Sequence, residues 1–119
     1  MRKIILLALC ASLAASGAAI AKPAQKPISA AERVGIILAA AAYGGKNCGS
    51  LIADWKTAAL AVKANGFTQA DVNKAPIKNY VNRYILGFQA APLATTCEDL
   101  YRKFGTGGSL YPGLLERVD

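Results

Sequence analysis

Cys48 and Cys97 are the residues of this chain whose chemistry is easiest to constrain, because most uses of a thiol need partners. A thiol nucleophile is usually activated by a histidine base, and zinc sites are usually completed by further Cys or His. The chain contains no histidine. That composition also excludes Ser-His-Asp hydrolysis, His-ligated haem and HExxH metalloprotease chemistry, and no CxxC redox motif is present. The third cysteine, Cys10, lies in an N-terminal segment expected to be removed, which leaves an even pair. In an oxidising compartment such a pair reads as one disulfide; a reactive or intermolecular thiol is the alternative. Closing the loop between positions 48 and 97 would restrict the unfolded chain by about 4 kcal/mol. For a domain whose whole stability is about 5 to 10 kcal/mol, that is a large share.

The carboxylates offer less. Paired-acid catalysis needs two carboxyl groups facing each other about 5 to 10 Å apart across a substrate. Glu98 and Asp99 are neighbours in sequence and on a helix would point roughly 100° apart, and the other acids are isolated. Catalysis would therefore require a fold that gathers acids such as Asp54, Asp71 and Glu98 into one pocket. The stretch Gly105-Thr106-Gly107-Gly108-Ser109 lacks both the Lys-Ser/Thr ending and the preceding strand of a phosphate-binding loop, so it reads as a turn. The expectation is a non-catalytic protein with no metal site and no cofactor.

The chain opens with Arg2 and Lys3 before an apolar run from Ile4 to Leu13, followed by small residues ending in Ala19-Ile20-Ala21. This is the order of a secretory signal peptide. A membrane anchor needs roughly 20 strongly apolar residues, and here the later part is Ala, Ser and Gly. The expected organisation is a signal peptide over 1–21, a flexible leader over 22–28 and one helical domain over 29–119, with no transmembrane segment after cleavage. An extracytoplasmic location, periplasmic or secreted, follows from the same reading. The formal net charge is +7 and falls by two when Arg2 and Lys3 leave. The cations are scattered along the chain, without the clustering of a nucleic-acid footprint. No nucleic acid is expected as a partner, whereas an anionic envelope surface, lipid or wall polymer, remains a candidate.

Six segments carry the elements that must position these residues. Ser29-Ala30-Ala31-Glu32 has capping-box spacing, and the sequence predicts a helix from Ala30 to Tyr43, stopped by Gly44-Gly45. Ser50 is a candidate cap for a second helix, in which Leu51, Trp55, Ala58, Ala59 and Val62 share one face and Asn65-Gly66 closes the segment. Cys48 and Cys97 each precede apolar residues at spacings of three, four and seven, placing each in the first turn of a helix. Thr68 to Asp71 is a weaker capping box opening a short helix from Gln69 to about Ala75. Pro76 interrupts it, and a longer helix, kinked or separate, runs from Ile77 to Ala90. There Ile77, Tyr80, Val81, Tyr84, Ile85 and Phe88 form a stripe that reads first as packing with hydroxyls reaching water. A last helix is expected to be capped by Thr95 or Thr96, with Glu98 and Asp99 near its positive end and Arg102-Lys103 near its negative end. A short helix or turn over Pro112 to Val118 closes the chain. No stretch alternates with β-branched enrichment, so strands are not expected. The fold class is all-α, a small bundle of about four helices with one disulfide.

Thr96-Cys97-Glu98-Asp99 resembles the start of the small periplasmic acid-stress chaperones of the HdeA type, which are exported, helical and built around one disulfide. In that family the motif introduces the first cysteine, whereas here it holds the second, and this chain has fewer acids to switch by protonation. The functional expectation is an exported, non-catalytic domain that binds a protein partner in the cell envelope as an inhibitor, immunity or accessory protein. Tyr80, Tyr84, Arg83 and Lys78 are the candidate partner-binding residues. The alternatives are binding to the anionic envelope surface and a stress-chaperone-like role.

Overall fold

The computed structural model describes residues 27–118, so the expected signal peptide and all but the last two residues of the leader lie outside the described part. Four helices carry the fold: α1 (Ala30–Asn47), α2 (Trp55–Ala64), α3 (Ile77–Ala90) and α4 (Leu93–Phe104). A 3-10 turn (Gln69–Asn73) precedes α3, and two short strands, β1 (Leu51–Ala53) and β2 (Leu115–Arg117), pair antiparallel. The all-α class expected from the sequence is the class observed.

The central element is α1. Ser29 caps it, its Oγ accepting the Glu32 N–H at 3.1 Å, and Val34, Ile37, Ala39, Ala40, Ala41 and Tyr43 are all buried. The helix does not stop at Gly44-Gly45 as the sequence suggests but continues to Asn47. The glycines serve close approach instead of termination. A Cβ on Gly44 would press on Leu115 at 3.1 Å, and one on Gly45 would meet the Ala53 Cβ at 2.9 Å. The β ribbon can therefore lie directly against the helix backbone.

That ribbon replaces two expected helical segments. Leu51 pairs with Arg117, Ile52 with Glu116 and Ala53 with Leu115, and the ladder is extended by Asp54 N–H donating to the Leu114 carbonyl and Val118 N–H donating to that of Ser50. Ser50 is thus not a helix cap. Asp54 caps α2, its Oδ1 accepting the N–H groups of Lys56 and Thr57. The segment from Pro112 to Val118, expected as a short helix or turn, holds strand β2. Leu51 and Leu115 face inward and are buried, while Ile52 and Glu116 face outward. Such three-residue strands are too short to show an alternating pattern, and their pairing joins segments far apart in the chain.

The main core joins Ile37, Ala41 and Tyr43 of α1 to Leu51, Ala58, Leu100, Phe104, Leu114 and Leu115. Full burial of side chains such as Phe104 and Leu100 contributes about 1.5 to 3 kcal/mol each. A smaller cluster of Val34, Val62 and Ile77, with Phe67, Val72 and Val81 packed around it, fills the space between α1, α2 and α3.

Cys48 and Cys97 form the disulfide, with Cα atoms 5.7 Å apart and a sequence separation of 49 residues. Cys48 is the C-terminal cap of α1 rather than the start of a helix. Cys97 lies in the second turn of α4, because that helix begins at Leu93, ahead of the expected Thr95 or Thr96 cap. Thr96 is buried inside the helix, and its hydroxyl donates to the Phe88 carbonyl at 3.2 Å, satisfying an acceptor in the last turn of α3. The staple therefore ties the end of the central helix to the element that packs across the core.

Candidate functional site

The stripe on α3 is used for packing. Ile77 is buried, and Tyr80, Val81, Tyr84, Ile85 and Phe88 are each partly buried. Gly35 of α1 makes the approach possible, since a Cβ there would collide with the Tyr80 Cβ. The Phe88 ring meets Tyr43 of α1 at 5.6 Å between centroids and a tilt of 51°.

Among the candidate partner-binding residues, Tyr84 is held by α1. Its hydroxyl donates to Glu32 Oε2 at 2.6 Å, and that bond, followed by burial, raises the Tyr84 pKa above its ordinary value. Glu32 is the residue that the capping-box reading turned back toward Ser29, but its carboxylate reaches across to α3. Tyr80 is partly covered, with the Arg83 guanidinium over its ring at 5.3 Å. Arg83 and Lys78 are exposed. The structure thus divides the four residues into two tyrosines engaged with α1 or its neighbour and two cations facing outward.

The carboxylates have local uses. Asp54 is held below the usual carboxylate range by hydrogen bonds from Thr57 first and Lys56 next, as the start of α2 requires. Asp71 is lowered by Thr68, whose N–H and hydroxyl both donate to its Oδ2 at 2.8 and 3.0 Å. Asp99 pairs with Lys103 at 2.8 Å and Arg102 at 3.9 Å along α4. No cluster of three or more His, Cys, Asp or Glu side chains suited to a metal ion occurs among the described residues.

Two surface regions were not legible as sites in the sequence. The first is the corner between α3 and α4. Leu86 is 67% exposed and Leu93 51% exposed. An open cleft of about 520 Å³ lies there, with Phe88, Ala91 and Ala94 among its apolar lining and Glu98, Asp99 and Arg102 at its charged side.

The second is the outer face of α2. Trp55, expected in the core beside Ala58 and Val62, is 55% exposed, and Ala59 is exposed as well. Leu51 belongs to a strand, so α2 begins only at Trp55; the indole shares the side of Val62 but stands two turns before it, at the first position of the helix, where it is left outside.

No protein family, curated protein or solved structure matches this chain. No helix among the described residues is long and apolar enough to cross a membrane.

Proposed function

We propose that this protein is an exported, non-catalytic helical domain that binds a protein partner in the cell envelope, as an inhibitor, immunity or accessory protein. The observation that carries the reading is the α3–α4 corner. A cleft with Phe88, Ala91 and Ala94 in its lining and charges of both signs at its edge, on two helices that also carry the more than half exposed Leu86 and Leu93, has the make-up of an interface with an apolar centre and a polar rim. Arg83 and Lys78 extend the same helix outward as rim contacts, where charges set association rate more than affinity. The disulfide at Cys97, in the second turn of α4 and next to this corner, holds that helix to α1, so the surface is presented on a rigid support. Export is supported by the signal-like order of residues 1–21 and by a crosslink of the kind that oxidising compartments maintain.

The test uses the native protein as bait after mild crosslinking. A stoichiometric complex is expected, lost with Leu86→Asp and retained with Lys74→Gln, while both variants keep the circular dichroism of the parent. A complex indifferent to Leu86→Asp, or none after repeated crosslinking, overturns the reading.

A further inference from the structure

The outer face of α2 combines features that the α3–α4 corner lacks. At 100° per residue, Lys56, Ala59, Leu60 and Lys63 fall on the side away from the buried Ala58, Ala61 and Val62, Leu60 is 58% exposed, and Trp55, at the first position of the helix, borders that side. Two shallow apolar clefts flank the face. One, of about 380 Å³, is floored by Ala59, Val62 and Phe67 and bordered by Leu60, Lys56 and Lys63. The other, of about 570 Å³, runs along the end of α1 over Ala42, Gly45 and Ala53, with Lys46, Ile52 and Trp55 at its edge.

Lys46 shares a cleft with the exposed indole, Lys56 follows it directly in the chain, and Lys63 lies two turns further along the same helix. Among the described residues both ion pairs belong to Asp99, and none involves Lys46, Lys56 or Lys63. Two acids border the face. Asp54 is committed to the N–H groups at the start of α2, which leaves Glu116, across the ribbon from Ile52, as the free carboxylate.

We propose that this face docks on an anionic lipid bilayer. The chemistry separates a bilayer from a protein surface. Protein interfaces are enriched in Trp but depleted in Lys, whereas unpaired lysines near an indole match a phosphate-rich plane. There each cation strengthens attraction about fivefold, and the indole places its apolar body and its N–H at head-group depth. Leu60 and Ile52 supply apolar contact on either side, and the shallow clefts accept lipid chains only at their ends. Docking is peripheral, because the apolar side of α2 is already used in the core.

Trp55 is the chain's single tryptophan, so the unmodified protein reports on its own face. The experiment titrates the disulfide-intact protein with vesicles of phosphatidylcholine, with and without phosphatidylglycerol, and follows emission and acrylamide quenching. A blue shift and protection from quencher are expected only with phosphatidylglycerol, both reversed by salt that shortens the Debye length. Lys56→Gln with Lys63→Gln should weaken binding about thirtyfold, while Lys78→Gln on α3 leaves it unchanged. Emission unmoved by either vesicle, an equal shift with phosphatidylcholine alone, or equal losses from the α2 and α3 lysines overturns the proposal. Leu86→Asp, which tests the protein-partner reading, leaves vesicle binding intact, so the two readings fail separately.

Discussion

Helix α3 carries Tyr80, Tyr84 and Phe88 at helical spacing and α2 carries Trp55 alone, and the two helices use their aromatic side chains in opposite ways. On α3 the tyrosines that invite a binding role are drawn toward α1, one by the gap at Gly35 and the other by the Glu32 carboxylate. On α2 the tryptophan that the spacing places in the core stands in solvent. Periodicity identifies which residues share a face, but the partner element decides which face is covered. For α3 that partner is α1 along most of its length. For α2 it is α1 and the core beneath, reached by alanines and one valine small enough to lie close, with no room made for an indole.

The sharpest way to break this comparison is to remove what holds the central helix in place. Cys48→Ser with Cys97→Ser should lower stability by about 4 kcal/mol, measured as a shift in the urea midpoint. A negligible shift would mean that the junction of α1 and α4 is organised without the crosslink. Next, Gly35→Val should cost about 3 kcal/mol, because the added carbons have to displace Tyr80 from α1; a neutral result would show that α3 is not closely seated.

Tyr84→Phe is a finer probe, expected to cost about 1 kcal/mol through the lost bond to Glu32. Its pH dependence comes from the direction of the shift. The folded-state pKa is raised above the ordinary value of 10.0, so the stabilisation is fully present below that value and is lost as pH rises through the higher folded pKa. The difference between parent and variant should therefore narrow in strong alkali, as thermal melts across that range would reveal. Smallest of all, Trp55→Ala should change stability by no more than about 0.5 kcal/mol, the range of an exposed position. A larger loss would return Trp55 to the core and erase the contrast between the two helices.

Much of the architecture was legible in local chemistry. Pro76 and Ala91-Pro92 bound α3 because proline cannot continue a helix from its interior, and Asn65-Gly66 closes α2 as expected. Ser29 starts α1, and Thr68 with Asp71 starts the 3-10 turn. The misleading signal was Gly44-Gly45, where two meanings of glycine compete. The pair signals a helix end when only the chain is considered, but a close contact once β2 returns from the far end of the sequence. The same returning strand converts Leu51 to Ala53 from a helix start into β1 and leaves Asp54, not Ser50, to cap α2.

The candidate surfaces were less legible than the fold. Exposure of Leu86 and Leu93 is a difference between helices in contact and helices apart, which no spacing rule contains. The sequence by itself determined the all-helical class, the pairing of the two cysteines left in the helical domain, the bounds of α3 and the lack of any histidine-dependent chemistry, because these depend on residue types and short-range backbone preferences. Only the tertiary structure decided that a ribbon closes the domain, that Glu32 holds Tyr84, and that Trp55 faces outward with Lys46 at the same cleft. Each of these depends on segments distant in the chain competing for the same surface of α1, and that competition is settled by shape and burial.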